Sequence, residues 1–300
     1  MHYLCKMFYR RKIILALLQL LDGEADKLVL QKLLFLYSQS KKNPEYEFVP
    51  YKFGCYSYSA NADLLTMVKK ELLSENENSY KKNNVTDFVK TLKKEDVTLL
   101  IETVKLYGNM SNNALIKHTY INFPYYAINS TIADSVLNND QLIKVHQARI
   151  QSNKTTLFTI GYEGISLEHY LNKLVRNDVK VLVDVRRNPL SMKFGFSKNL
   201  LKRYCENLGI EYIHIPELGI HSEERQALNT QADYDKLFEA YKSTTLVETT
   251  NQQEQIINLL QKHKRIALTC FEENICQCHR KPLAESIKNF PIFEYEVKHI

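Results

Sequence analysis

The sequence predicts two domains: a mainly α-helical N-terminal domain and an α/β C-terminal domain with a mainly parallel sheet flanked by helices. The chain has 300 residues with 44% hydrophobic content, a length more natural for two domains than for one. A short polar linker, Gln-Ser-Asn-Lys-Thr-Thr, occupies residues 151–156. Helical periodicity dominates before the linker, and apolar strands alternate with helices from Leu157 onward. We therefore place the domains at residues 1–150 and 157–300.

Composition predicts a soluble intracellular protein. No apolar run approaches the ~18–20 residues of a membrane span, and the N-terminus lacks the cleavage pattern of a signal peptide. The six cysteines are scattered and do not form a secreted disulfide framework, so we expect reduced thiols and a cytoplasmic location. The formal charge of +6 is concentrated in the first half. This excess is compatible with a nucleic-acid or acidic-protein partner, although surface lysines that only solubilise are the more frequent explanation.

The first half begins with the pattern of a winged helix-turn-helix, in which helices are combined with a β-ribbon. Leucines and aromatic residues recur at helical spacing, and Asp22-Gly23 interrupts the run. Ser59 is placed to cap a helix. The predicted elements are helices over 10–21 and 27–40, a ribbon over 46–57 and a helix over 60–73. After a polar loop over 74–84, helices are predicted over 86–92, 94–107, 111–119 and 131–150.

One segment of this half resembles the Panacea-type antitoxin domains. Leu-Gln-Lys-Leu-Leu-Phe-Leu-Tyr at residues 30–37 matches their core helix, and Tyr-Lys-Phe-Gly at residues 51–54 matches the aromatic stretch that follows. Cys55 stands where those domains have a proline after the glycine. The resemblance implies an interaction protein of toxin–antitoxin or phage-defence type, which would bind a protein partner through residues 1–150.

The second half is predicted to fold as a parallel sheet, because buried strands joined by helices require crossover connections. The predicted strands are 157–160, 179–185, 211–215 and 265–269. The predicted helices are 166–176, 197–208, 232–243, 247–263 and 280–288. In such a sheet the carboxyl ends of the strands meet at one edge, where open α/β proteins bind their ligands.

Chemically reactive side chains follow all four strands, so we expect one site. Arginines, a lysine and histidines are suited to anion binding, and carboxylates beside them are suited to general acid or base catalysis. Asp184 and Arg186 lie two residues apart in an extended strand, so the carboxylate can orient the guanidinium. The candidate catalytic residues are Glu163, Asp184, Glu272 and His279. The candidate ligand-binding residues are Gly161, Tyr162, Arg186, Arg187, Lys193, His214, Glu217 and Arg280.

Cys270 and Cys278 flank the last strand–loop–helix junction and are the candidate nucleophiles. A helix N-terminus and a nearby arginine lower the pKa of a thiol, whereas a buried strand-end cysteine is often only a small core side chain. A zinc site is a third hypothesis, but the adjacent Cys-His pair and the Cys-x-Cys pair do not have the usual Cys-x2-4-Cys spacing of zinc ligands. We therefore predict no metal, and we expect Cys278 to pack under the loop while His279 and Arg280 face the ligand.

Four sequence blocks resemble the uncharacterised domain-of-unknown-function family numbered 488. The blocks occur in the order of that family over about 140 residues: Thr-Ile-Gly-Tyr-Glu-Gly at 159–164, Val-Asp-Val-Arg-Arg-Asn-Pro at 183–189, residues 212–219, and Cys-Phe-Glu with Cys-His-Arg at 270–280. The family brings no settled activity. A more distant similarity is to rhodaneses and cysteine phosphatases, in which an arginine follows the catalytic cysteine by a few residues. Here Arg280 is ten residues after Cys270 and two after Cys278.

These observations lead to one expected function and two alternatives. We expect the α/β domain to bind and process a phosphate-bearing ligand, nucleic acid or nucleotide, at the strand carboxyl ends. One alternative is a non-enzymatic interaction or sensor protein of toxin–antitoxin or phage-defence type. The other is rhodanese- or phosphatase-like cysteine chemistry. The sequence identifies no cofactor and no oligomeric state.

Overall fold

The computed structural model describes residues 7–225 and 228–300. The chain divides into two compact units, one ending at Arg149 and the other beginning at Ile150. The predicted fold class is confirmed, since the first unit is mainly helical and the second is a parallel sheet flanked by helices. Within the described ranges, no helix has both the length and the apolar character that a bilayer crossing requires.

The first unit contains seven helices and five short strands among its described residues. The helices are α1 (Tyr9–Leu20), α2 (Lys27–Gln39), α3 (Tyr58–Lys69), α4 (Lys94–Tyr107), α5 (Asn112–Asn122), α6 (Ala133–Val136) and α7 (Asn139–Ala148). The strands are β1 (Glu24–Asp26), β2 (Val49–Tyr51), β3 (Gly54–Tyr56), β4 (Leu73–Glu75) and β5 (Ser79–Lys82). β1, β5 and β4 form an antiparallel sheet in that order, and β2 and β3 form a separate hairpin.

Helices α1 and α2 form the centre of this unit. Six consecutive residues of α1, Ile13–Leu18, are fully buried, which is the behaviour of a helix surrounded by other elements. In α2, the ammonium group of buried Lys32 donates to the carbonyl of Phe53 at 2.6 Å. A Cβ on Gly54 would lie 2.5 Å from that nitrogen, and Gly54 has a φ of +91°. The hairpin turn over α2 therefore requires glycine.

Several local predictions in the first unit are wrong. The polar stretch 74–84 contains most of the β4–β5 hairpin instead of a loop. Leu73 at the start of β4 and Tyr80 in β5 are buried in the core, and the polar residues between them are not. The cap of α3 is Ser57, whose hydroxyl accepts from the amide of Ala60. The predicted helix over 86–92 is only a 3-10 turn, and the helix over 131–150 is divided into α6 and α7 by a capping box at Asn138.

The second unit is a five-stranded parallel sheet. Its strands are β6 (Thr156–Gly161), β7 (Val181–Asp184), β8 (Glu211–His214), β9 (Arg265–Cys270) and β10 (Glu296–His299), in the spatial order β10-β6-β9-β7-β8. Its helices are α8 (Leu167–Arg176), α9 (Lys198–Glu206), α10 (Gln231–Ser243), α11 (Thr245–Glu248), α12 (Thr250–His263) and α13 (Arg280–Lys288). The edge strand β10 was not predicted, because three of the four residues in Glu-Val-Lys-His are polar and the segment carries no strand signature of its own.

Strand β9 lies at the middle of the sheet and is buried along its whole length. On one face, its Ile266 and Leu268 pack in a cluster with apolar residues of α12 and α13. On the other face, the hydroxyl of Tyr170 in α8 donates to Thr269 at 2.8 Å. This two-sided cover explains the continuous apolar run that identified the strand, and it fixes the position of Cys270 at the carboxyl end.

Candidate functional site at the carboxyl ends of the strands

The register of the sheet brings the predicted strand ends together. Gly161 of β6 is paired with Cys270 of β9, and Asp184 of β7 is paired with both Thr269 and His214. Since all strands are parallel, the residues that follow them lie along one edge. The segments beginning at Tyr162, Val185 and Phe271 therefore surround the end of the central strand.

Position 161 requires glycine because the backbone of Glu272 passes close to its Cα atom. A Cβ at this position would lie 2.0 Å from the carbonyl oxygen of Glu272. The amides of Tyr162 and Glu163 both donate to the carbonyl of Phe271, at 3.0 and 2.9 Å. The exposed Glu163 carboxylate accepts from the amide of Glu273 at 3.1 Å. Gly161 and Glu163 thus position the loop after β9.

Three side chains of types that can bind a metal gather beneath that loop. Cys270, Cys278 and His279 are each at most 1% exposed, and their Sγ and imidazole nitrogen atoms all lie within 4.8 Å of one another. Cys270 Sγ lies 3.6 Å from His279 Nδ1. The chain returns to the strand end through a 3-10 turn, Ile275–Gln277, whose cap is the side chain of Asn274. The turn places Cys278 and His279 beside Cys270, although eight and nine residues separate them in sequence.

The imidazole of His279 has a defined orientation. Its Nε2 lies 3.1 Å from the carbonyl of Val185, which can only accept, so Nε2 is the donor and Nδ1 is the nitrogen that faces Cys270 Sγ. A carboxylate oxygen of Glu272 lies 3.2 Å from Cys270 Sγ. Burial raises the pKa of the Cys278 thiol, and the neighbouring Cys270 raises it further while Arg280 opposes the change.

Arg280, which we expected to face the ligand, is buried in the structure, and His279 is equally buried. Arg280 is 1% exposed because α13 packs against the sheet. Its Nε donates to Cys278 Sγ at 3.1 Å, and its Nη2 donates to the carbonyl of Glu272. Cys278 does pack under the loop, with no exposed surface.

Asp184 and Arg186 form a buried ion pair in place of a surface anion site. The guanidinium of Arg186 also donates to the hydroxyl of Tyr162 at 2.7 Å and to the carbonyl of Phe196 at 2.9 Å. The ring of Tyr162 stacks on Phe196 at 4.2 Å. Tyr212, which sequence reasoning did not select, donates to Asp184 at 2.5 Å. Tyr212 lies on β8 within residues 212–219, one of the blocks that resemble the family, and this position could have identified it from the sequence.

The remaining candidates lie on the exposed side of the same edge. Arg187 is exposed, and its Nη1 donates to the carbonyl of Pro216 at 3.4 Å. Lys193 donates to the carbonyl of Tyr162, and burial lowers the pKa of its ammonium group while Glu163 opposes the shift. His214 Nε2 lies 2.9 Å from the carbonyl of Arg186. Glu217 is exposed in a 3-10 turn.

Two cavities open at this edge. One, of about 320 Å³, is lined by Tyr162, Arg186, Arg187 and Cys270 among others. The other, of about 400 Å³, is lined by Glu272, His279, Tyr234 and Phe238 among others. Tyr234 and Phe238 were missed by sequence reasoning, although their four-residue spacing on α10 marks them as one helix face.

The fold and the site define a parallel α/β domain with a buried Cys-Cys-His cluster at the end of its central strand. Residues 166–287 match the family model described as Domain of unknown function DUF488, which confirms the resemblance of the C-terminal half. The matched segment runs from the cap of α8 into α13 and includes the cluster. No curated protein matches the chain.

Proposed function

We propose that the α/β domain binds and processes a phosphate-bearing ligand, a nucleotide or nucleic acid, at the carboxyl ends of β6, β7 and β9. The observation that carries the proposal is that the cavity of about 320 Å³ is lined by both Arg187 and Cys270. An exposed cation and the buried reactive cluster therefore share one opening. This is the combination that anchors an anionic group next to the chemistry performed on it.

Arg187 is the anchoring cation. Among the described residues its guanidinium makes a single hydrogen bond, to the carbonyl of Pro216 at 3.4 Å, so most of its five donors face solvent or a ligand. Arg186, in contrast, uses its guanidinium on Asp184, Tyr162 and Phe196. Lys193 lies on the loop after Arg187 and adds a second positive charge.

Glu272 is the group best placed for proton transfer. Its side chain lines the cavity of about 400 Å³ together with His279, and its carboxylate lies 3.2 Å from Cys270 Sγ. A general base must lie within reach of the ligand, and the contact with Cys270, which lines the cavity of about 320 Å³, places this carboxylate beside the proposed binding cavity. Phosphatase-like chemistry receives less support, because the guanidinium of Arg280 is directed at Cys278 and the Glu272 carbonyl, beneath the loop.

The test is calorimetric titration of the full chain with nucleoside mono- and triphosphates and with short single-stranded DNA and RNA. At least one probe should bind, and Arg187→Ala should weaken that binding at least tenfold, about 1.4 kcal/mol. Arg176→Ala is the matched control. Arg176 is exposed at the end of α8, near the amino ends of the strands and away from the proposed site. Glu272→Gln should abolish turnover, detected by mass spectrometry, and retain binding. If no probe binds, the proposal is rejected.

A second function, recognition of nucleic acid, is supported by the first unit. Its order α1-β1-α2-β2-β3-α3-β4-β5, with the sheet order β1-β5-β4, resembles that of a winged helix with an extra hairpin between the second and third helices. In our proposal the third helix, α3, contacts the nucleic acid. Lys69 and Lys70 are exposed at the end of α3. The toxin–antitoxin or phage-defence alternative requires instead a protein partner that binds through residues 1–150.

Fluorescence anisotropy with labelled duplex DNA at several salt concentrations separates the two partners. Each lysine that contacts a phosphate contributes about −0.9 to the slope of log affinity against log salt, so Lys69→Glu with Lys70→Glu should reduce the slope by about 2. Lys144→Glu, an exposed change on α7, should leave it unchanged. A protein that shows no salt-dependent DNA binding excludes this function and favours a protein partner.

A further inference from the structure

We infer that Cys270, Cys278 and His279 form a binding site for Zn²⁺. Their spacing in sequence is unusual for zinc, which is why sequence reasoning predicted no metal. The structure removes that objection, because the end of β9 and the turn before α13 bring the three ligand atoms within 4.8 Å of one another. Ligand sets are defined by their positions in space, so the loop between Cys270 and Cys278 need not follow the short spacing of a zinc knuckle.

The distances fit a small tetrahedral ion. Donors bound to zinc at 2.0 to 2.3 Å in a tetrahedron lie about 3.3 to 3.8 Å from one another. Cys270 Sγ and His279 Nδ1 are 3.6 Å apart, within that range. The other separations in the cluster are at most 4.8 Å, so closure around an ion needs side-chain movements of about 1 Å or less.

The surroundings of the ligands are those of a metal site. A histidine that binds a metal through one nitrogen usually donates its other N–H to a carbonyl, and His279 does so to Val185. Arg280 donates to Cys278 Sγ, the hydrogen bond that stabilises a thiolate. In the described ranges, no carboxylate forms an ion pair with this buried guanidinium. A zinc-bound Cys278 thiolate would remain an acceptor for the Arg280 N–H, and Zn²⁺ with two thiolates adds no net charge beside the guanidinium.

The donor set selects the metal. Two sulfurs and one imidazole nitrogen favour zinc over magnesium or calcium, which take oxygen ligands. Three protein ligands also leave the fourth position open, as in catalytic zinc sites. The carboxylate of Glu272 lies 3.2 Å from Cys270 Sγ, beside the cluster. The two cavities lined by Cys270 and by Glu272 and His279 provide the entry path.

Metal analysis of the full-length protein, purified with a reductant and without chelators, tests the inference. Elemental mass spectrometry of the acid-digested protein should find about one zinc per chain. Replacement by Co²⁺ should produce the charge-transfer absorption of thiolate-bound cobalt. Cys270→Ser and Cys278→Ser should each lose both signals. Cys276→Ser is the matched control, because Cys276 lies in the same loop but is exposed, and this variant should keep both.

X-ray absorption at the zinc edge of the unaltered protein covers the case in which a serine variant does not fold. Two sulfur neighbours and at least one nitrogen support the site, and a shell of only oxygen and nitrogen overturns it. A wild-type protein that contains no zinc and takes up no Co²⁺ also overturns it, as does loss of metal in Cys276→Ser. The metal analysis does not depend on the phosphate ligand. A protein that contains zinc but binds no phosphate probe rejects only the proposed function. A protein that contains no metal but binds a phosphate probe rejects only the zinc site.

Discussion

The carboxylate of Asp184 accepts two hydrogen bonds from the guanidinium of Arg186, two residues further along the chain, at 2.8 and 2.5 Å. The side chains are 0% and 6% exposed. Because Arg186 also reaches Tyr162 and Phe196, this pair ties the end of β7 to the segment after β6 and to the loop before α9. In the sequence, Asp184 and Arg186 resembled part of an anion-binding site. In the structure they form a buried ion pair that holds the segments around the site in place.

Arg186→Ala and Arg187→Ala should therefore have opposite consequences. Removal of Arg186 leaves the Asp184 carboxylate buried without its partner, and we expect a loss of about 3–5 kcal/mol in the free energy of unfolding. Removal of the exposed Arg187 should change it by less than about 0.5 kcal/mol and weaken ligand binding instead. Urea unfolding of both variants, followed by circular dichroism, measures the difference. Equal stabilities would refute the structural role of Arg186.

Gly161→Ala should displace the loop after β9. The added Cβ would lie 2.0 Å from the backbone oxygen of Glu272, which no side-chain rotation can relieve. We expect a destabilisation of about 1–3 kcal/mol together with reduced zinc content.

Gly209→Ala is the control for this change, because Gly209 has a φ of +76° and open space around its Cβ. It should lower thermal stability through backbone strain and leave the zinc content intact. A Gly161→Ala protein with full zinc content would show that the approach of Glu272 to β6 does not shape the cluster.

Asp96 should make the first unit sensitive to acid. Burial by itself raises the pKa of its carboxyl, but hydrogen bonds from Lys41, Tyr9 and Tyr37 outweigh burial and hold the pKa below the ordinary 3.8. A carboxyl whose pKa is lower in the folded state contributes stability above about pH 4, and this contribution is lost as the pH falls through the folded-state pKa. Wild-type unfolding free energy should therefore decline on acidification.

The variant Asp96→Asn identifies the group. It should be less stable at neutral pH, and its unfolding free energy should fall less steeply between about pH 5 and about pH 3. Urea titrations across this range provide the measurement, with the exposed Asp134→Asn as a variant expected to follow the wild type. Parallel curves for Asp96→Asn and wild type would assign the acid sensitivity to other carboxyls.

Asp63→Ala should loosen the junction of α1 and α3. The buried Asp63 carboxylate accepts from Arg10 at 2.5 Å, from Arg11 at 2.6 Å and from the hydroxyl of Tyr46 at 2.9 Å. Its removal leaves a buried phenol without its acceptor and separates two cations from their counter-ion, at a cost of about 3 kcal/mol. Chemical unfolding compared with Asp134→Ala measures this cost, and a loss below about 0.5 kcal/mol would contradict it.

Regular elements with strong periodicity were predictable, and elements held by distant partners were not. The apolar runs of β6, β7 and β9 and the leucine spacing of α1 and α2 each carry their own signal. Strand β10 and the β4–β5 hairpin carry little sequence signal of their own. They are strands because β10 pairs with β6 and β5 pairs with β1. Ser57 and Ser59 lie on either side of Tyr58, the first residue of α3, and only the observed hydrogen bond from Ala60 to Ser57 distinguishes the cap.

The sequence by itself determined the fold class, the four predicted strand ends and the residues that follow them, since these depend on local periodicity and on the geometry of parallel sheets. Tertiary structure alone decided what those residues do. Arg186 and Arg280 are charged residues that packing has buried, while Arg187, their chemical equivalent, remains exposed. The approach of Cys278 and His279 to Cys270 depends on how a loop folds back over the sheet. Sequence spacing does not encode that distance. Side chains eight and nine residues apart are brought together by burial, by the hydrogen bond from His279 to the carbonyl of Val185 and by the hydrogen bond from Arg280 to Cys278.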